Sequence, residues 1–249
     1  MVKIVPWVNG SGNITLSYNG QGDGSIVISS DPNNLDVERS QTVDVIARDK
    51  TKVLTINQLP NIPLPYDAEI EYLESTSKQL INTGVNGGTD VAYEIEFTAL
   101  TQTVSYAQLW GSSRQENHAP KVYRAATDYR VEWYSDGSER YVNSTVIGTD
   151  AKHKAEYKNG SFFVDDTLIA TPGILGFGST NFCLFGYLPE PNLKSNLRLY
   201  SCKIWVDAVL LRDMIPCRLE QVGYLYDKVS DQLFGNAGTD DFIMGPDVN

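Results

Sequence analysis

Along residues 1–58, polar and apolar positions alternate in short runs: NITLSY, GSIVIS, QTVDVIA and TKVLTIN. Such alternation puts one face of a strand on a core and the other in water. Between the runs lie NGQGDG and SDPNN. Glycine reaches positive φ without steric cost, and Asp and Asn bond their own backbone, so these are turns. The pattern predicts four or five short strands, which suits a small immunoglobulin-like sandwich. LPNIPLPY follows, with Pro60, Pro63 and Pro65. Prolines this dense give the ladder no N–H donors and favour extended polyproline II geometry. A spacer over residues 60–66 is therefore expected, dividing a domain at 1–59 from a larger one at 67–249.

The second segment is also strand after strand. AEIEYLE, QLINTGV, VAYEIEFTAL, VSYAQLW, KVYRAA, YRVEWYS, RYVNSTVIG, KAEYK, SFFVDD, NFCLFGY, NLRLYSCKIWV and AVLLRDMIP are all rich in strand-favouring residues. Asn159-Gly160 in KNGS suits a type I′ hairpin turn, and SDGS at 135–138 is a second hairpin signal. No 3.6-residue periodicity persists beyond one or two turns. The predicted fold class is all-β: a small immunoglobulin-like sandwich followed by a jelly-roll β-sandwich.

Composition narrows the function classes. The chain has 249 residues and a net charge of −11, with 20 Lys and Arg against 31 Asp and Glu. Phosphate binding needs clustered Lys and Arg, and no basic run occurs, so nucleic acid is not an expected partner. No apolar run approaches the ~20 residues of a membrane span, so no membrane partner is expected. MVKIVPWVNGSGNITLSYNG lacks an apolar secretory core, so synthesis and folding in a cytoplasm are expected. Cys183, Cys202 and Cys217 show no CxxC spacing. Buried, reduced thiols are the expectation.

Candidate catalytic chemistry is thin. Glu94 and Glu96 in AYEIEF point to one face, and a retaining glycosidase needs two carboxyls roughly 5–5.5 Å apart in a cleft. Tyr93, Ile95 and Phe97 form the complementary apolar face, which leaves the glutamates on solvent. His118 in SSRQENHAP and His153 in AKHKAEY are the only histidines. Neither has a GxSxG or zinc-site context, and both are expected at the surface. No enzymatic activity, cofactor or metal is expected. The C-terminal stretch GYLYDKVSDQLFGNAGTDDFIMGP lacks the oxygen-ligand spacing of a calcium loop. Asp240-Asp241 could hold at most a peripheral ion, and the stretch is expected to close the fold.

A binding surface is the better candidate. Sugar recognition sets aromatic rings against the apolar side of a pyranose, with amides and carboxylates at its hydroxyls. Tyr123, Tyr129, Trp133, Tyr134 and Tyr141 surround the SDGSER turn, and the neighbouring loop supplies Arg114, Gln115, Glu116 and Asn117. Tyr134, Trp133, Tyr141, Arg114, Gln115 and Asn117 are the candidate glycan or partner contacts. In YRVEWYS one face must be core: either Trp133 with Tyr129 and Val131, or Tyr134 with Arg130 and Glu132. The polar pair favours Tyr134 as exposed. Trp7 in VPWVNG either anchors the small domain or docks it on a partner. Trp205 in KIWVDA alternates with Leu199 and Ser201 and is expected in the core.

YDAEIEYLESTSKQLINTG, LWGSS, YKNGSFFVDDTLI, LRLYSCKIWVDAVLLRDMIPC and GYLYDKVSDQLFGNAG together resemble a concanavalin A-like, laminin-G-type jelly roll, in family order over residues 67–249. The variant is the one common in phage structural proteins and gut-bacterial surface proteins. Two turns depart from the family's Asn-Gly or Asp-Gly, at Asp207-Ala208 and Asp165-Asp166. PWVNGSGNITLSYNG, RSQTVDV and VLTINQ are similar to the BACON domain, a small immunoglobulin-like module. The pairing implies a virion subunit of a phage infecting gut bacteria, such as a head fibre, tail fibre or capsid decoration. Its implied partners are further copies of itself in a homodimer or homotrimer, capsid or fibre subunits, and host-surface glycans. A carbohydrate-binding accessory module and a glycoside hydrolase are the alternatives.

Overall fold

A computed structural model describes residues 2–4, 14–19, 25–30, 33, 37–47, 50–58, 63–102, 106–112, 118–125, 128–187 and 194–248. Among them there is no helix, and the ordered backbone lies in antiparallel sheets. The chain divides into two compact units, Met1–Leu64 and Pro65–Asn249.

The first unit carries β1 (Val2–Ile4), β2 (Ile14–Asn19), β3 (Ser25–Ser30), β4 (Arg39–Ala47) and β5 (Lys50–Gln58). The order β1-β4-β5 makes one sheet and the hairpin β2-β3 a second. Arg39 is buried, and its Nε donates to Gln58 Oε1 at 2.6 Å across the β4–β5 ladder.

The second unit is a jelly-roll-like sandwich of two sheets. Its strands are β6 (Ala68–Glu69), β7 (Leu73–Thr76), β8 (Ile81–Asn82), β9 (Val91–Ala99), β10 (Ala107–Gly111), β11 (His118–Ala125), β12 (Asp128–Ser135), β13 (Ser138–Ser144), β14 (Lys152–Lys158), β15 (Ser161–Val164) and β16 (Thr167–Ala170). They continue as β17 (Cys183–Leu184), β18 (Asn196–Val206), β19 (Val209–Leu219), β20 (Val222–Asp227), β21 (Gln232–Phe234) and β22 (Ile243–Met244). A six-stranded sheet runs β13-β12-β11-β10-β17-β8. An eleven-stranded sheet runs β16-β15-β14-β9-β18-β19-β20-β21, with β6, β7 and β22 added beside it.

The period-2 pattern fills the space between these sheets. Tyr93, Ile95 and Phe97 of β9 are buried, as the alternation predicts, against Leu109, Trp110, Val122 and Val131 of the other sheet. Phe97 meets Trp110 edge-on at 4.8 Å. Two-residue turns link the strands with both central residues at positive φ, the type I′ geometry that matches strand twist. Asp136-Gly137 and Asn159-Gly160 have φ of 51°, 73°, 50° and 69°. Asp165-Asp166 (48°, 61°) and Asp207-Ala208 (49°, 65°) keep the same geometry without glycine.

The C-terminal stretch closes the unit. β20 extends the larger sheet from β19, β22 pairs with β7, and Ile70 bridges to Asp247. Asp227, fully buried, accepts from Asp213 N, Val229 N and the Ser230 hydroxyl and so ties the β20–β21 turn down. Cys183, Cys202 and Cys217 are free and buried, which is the expected state of small apolar side chains. Burial pushes the Cys217 thiol up to about 12, so it is not a nucleophile at neutral pH.

Candidate functional site

Register decides what shares a face. On the six-stranded sheet, Gln108 pairs with Tyr123, Tyr123 with Arg130, Lys121 with Glu132, Glu132 with Tyr141, and Tyr134 with Glu139. All of these side chains stand on the face away from the core. There Tyr106, Gln108, Lys121, Tyr123, Arg130, Glu132 and Glu139 line a cavity of about 150 Å³. Tyr106 stacks on Tyr123 with ring centroids 6.3 Å apart, and the Arg130 guanidinium lies 4.4 Å over the Tyr141 ring.

The polar floor of this cavity is unusual. Lys121 Nζ and Glu132 Oε1 are 2.5 Å apart, with side chains only 5% and 6% exposed. An ion pair this well covered gives up most of its hydration, and its attraction does little more than offset that cost. Gln108 is buried beside it, and among the described residues its Nε2 has no hydrogen-bond partner. Burial pushes the Tyr123 hydroxyl up to about 12, against the downward pull of Arg130. The cavity thus offers an aromatic stack, an amide donor without an acceptor, and paired charges of both signs.

The expected contacts divide. Tyr141 is 52% exposed and belongs to the rim, where it stacks with Arg130. Tyr134 is half-buried on the same face, its hydroxyl donating to Gly137 O at 2.8 Å and its ring stacked on His118. Trp133 is on the opposite side, packed against the core with Tyr129 and Val131. Arg114, Gln115, Asn117 and Trp7 lie outside the described residues. Tyr106, Gln108 and Lys121 were not expected. Gln108 and Lys121 occupy the outward phase of neighbouring strands, a signal visible only once β10, β11 and β12 are aligned, and Tyr106 sits in the turn just before β10.

Both histidines correct the expectation of a surface position. His118 has no exposed surface, because β11 starts at His118 inside the segment that reads as a polar loop. Its Nδ1 bonds Ala119 O at 2.8 Å, Nε2 has no partner among the described residues, and burial lowers its pKa from 6.5 to about 4. His153 is buried against Phe97. Its Nε2 accepts from Gly148 N at 3.0 Å, which leaves Nδ1 to donate to Asp165 at 2.7 Å. It is a clasp between the β14 edge and the Asp165-Asp166 turn.

On the outer face of the eleven-stranded sheet, Glu94 and Glu96 face outward as expected. Each is tied to a lysine, Glu94 to Lys154 at 2.9 Å and Glu96 to Lys152 at 2.7 Å. The carboxylate directly across from Glu94 is Glu156 of β14. The Lys158 ammonium, with Lys154 beside it, holds the Glu156 carboxyl below its ordinary range against the upward push of burial. A glycosidase acid must keep its proton near neutral pH, and Glu156 does not.

Trp205 also departs from expectation. A register shift between Leu199 and Ser201 flips the phase of β18. Leu199 faces the core before the bulge, and Cys202 and Ile204 face it afterwards, so Trp205 turns outward over Ala92.

Asp240 pairs with Lys78 at 2.6 Å, and the Asp241 carbonyl accepts from Gln79 Nε2 at 2.7 Å. Among the described residues, no three His, Cys, Asp or Glu side chains gather closely enough to hold a metal ion. No helix among them is long and apolar enough to cross a membrane. Compared with protein-family models and with curated proteins, the chain matches none.

Proposed function

We propose that this protein is a non-enzymatic phage virion subunit, a fibre or capsid-decoration protein, that holds host-surface glycan on the outer face of the six-stranded sheet. The observation that carries the binding half is the cavity itself. The Tyr106–Tyr123 stack lines it together with Gln108, whose Nε2 has no partner among the described residues, and the covered Lys121–Glu132 pair. Aromatic faces suit the C–H side of a sugar ring, and convergent polar groups suit its hydroxyls. The virion half rests on the sequence resemblance to BACON-like and concanavalin A-like modules. Repetition on a particle raises weak sites to useful avidity by orders of magnitude.

The test is a glycan array probed with the intact chain beside Tyr106→Ala and Tyr141→Ala. Both residues are exposed, so neither change threatens the core. Binding that Tyr106→Ala abolishes and Tyr141→Ala weakens supports the site; binding indifferent to both removes it. A carbohydrate-binding accessory module would show the same sugar binding. Detection of the chain in purified phage particles supports the virion reading, and absence from them favours the accessory module.

A further inference from the structure

We infer that the second unit has another carbohydrate-binding groove, on the outer face of the eleven-stranded sheet, built around Trp205. The groove has a volume of about 470 Å³, within the range of small-molecule sites. Its hollow has a local cause. Trp205 pairs with Ala92, and the pairing of Tyr157 with Tyr93 puts Lys158 on the other side of Ala92. A small side chain between an indole and a lysine leaves the floor low. In the next row Glu94 and Glu156 stand side by side, and Asp90, Asn159 and Ala208 close the ends.

The donors and acceptors identify the ligand class. Lys154 bonds Glu94 Oε2 and Glu156 Oε1, and Lys158 bonds Glu156 Oε1 again. Glu94 Oε1 and Glu156 Oε2 take part in none of these bonds, so each carboxylate keeps an acceptor. The ammonium groups neutralise the floor, which disfavours a cationic ligand, and the carboxylates repel an anionic one. Both signs at short spacing suit vicinal hydroxyls, which donate and accept at once. Trp205, Ala92 and Ala208 supply the apolar surface for a pyranose ring. The groove lies on a sheet face, not at a strand edge, so an added peptide strand has no ladder to join.

The site is also preorganised. Asp207 Oδ1 accepts from Thr89 N, Thr89 Oγ1 and Asp90 N at 3.2, 2.9 and 3.1 Å, and Asp207 N donates to Asp90 O at 2.7 Å. These bonds clamp the β18–β19 turn onto the chain entering β9, so little is left to order on binding. Hydrolysis is not implied, because Glu156 is held ionised. Two sites on opposite outer faces of one sandwich would bridge two glycan chains.

The groove is independent of the Tyr106 cavity, and a two-by-two experiment separates them. The intact protein, Trp205→Ala, Tyr106→Ala and the double variant are probed on an array of bacterial-surface and plant oligosaccharides. The best oligosaccharide is then titrated calorimetrically. The expectation is that Trp205→Ala loses at least tenfold in affinity for one set of glycans, that Trp205→Phe recovers most of it, and that the double variant binds none. Loss of all binding in Trp205→Ala with none in Tyr106→Ala supports the groove and overturns the proposed cavity. Full binding by a folded Trp205→Ala, or loss of everything in Tyr106→Ala alone, overturns the groove. An array without any binding by the intact protein overturns both.

Discussion

The two outer faces of the sandwich use the same cross-strand device to opposite effect. On the six-stranded sheet Lys121 meets Glu132 under cover, with side chains 5% and 6% exposed. On the eleven-stranded sheet Lys152 meets Glu96 with side chains 53% and 37% exposed, and Lys154 meets Glu94 with 41% and 28%. In sequence these are indistinguishable Lys–Glu pairs on polar strand phases. Their energetics differ because a covered pair has exchanged water for its partner, whereas an open pair keeps most of its hydration. The lesson is that strand pattern assigns a residue to a face, while its neighbours across the ladder decide whether that face is wet.

The largest effect should come from breaking the covered pair. Lys121→Met leaves Glu132 buried and uncompensated, and should lower unfolding free energy by about 3–5 kcal/mol in denaturant titration. Adding Glu132→Leu should recover most of that loss, since an apolar pair of similar volume replaces both charges. If Lys121→Met costs no more than Lys154→Met, the contrast between the faces fails.

Acid should separate the faces next. His118 is neutral in the fold, with its pKa lowered from 6.5 to about 4 by burial. The unfolded chain therefore takes up the proton first, and stability is complete above pH 6.5. As the pH falls from 6.5 towards 4 it should drop by up to about 1.4 kcal/mol per pH unit. On the other face the depressed Glu156 carboxyl contributes stability above the ordinary carboxylate range, lost only as pH falls through its lowered value. His118→Phe should flatten thermal stability between pH 6.5 and pH 5; an unchanged pH profile would contradict the burial of His118.

Turns should give smaller changes of opposite sign. Ala208 sits at φ 65°, where an L side chain is strained by roughly 1–2 kcal/mol, and Gly137 holds the equivalent position in the β12–β13 turn at φ 73°. Ala208→Gly should raise stability by about 1 kcal/mol and Gly137→Ala should lower it by a similar amount. Equal signs in calorimetry would mean that contacts, not backbone conformation, govern these turns. The smallest effect belongs to the open pair: Lys152→Ala should cost less than about 1 kcal/mol and should fade with added salt.

The strands were legible because period-2 alternation and Asn-Gly or Asp-Gly turns are local signals, and β9, β14 and β15 follow them closely. The site was legible only in part. Tyr141 and Tyr134 are on the exposed phase of their strands, and the polar Arg130 and Glu132 pointed to that phase. Gln108 and Lys121 escaped notice because they are distant in sequence and meet only through the β10–β11–β12 register. His118 escaped because a strand begins where residue types suggest a loop. Trp205 escaped because a bulge is invisible to any rule that counts in twos.

The bulge at the Tyr200–Ser201 step acts on everything after it as a frameshift acts on codons. It leaves the residues unchanged and reassigns the surface each one serves. Drawing the extra position into the ladder, with Tyr200 opposite Glu96, would return Trp205 to the interior and bring Ile204 to the groove. Deleting that position instead would leave Ser201 opposite Glu96 and Trp205 outward, so the face Trp205 serves depends on one residue that the ladder passes over.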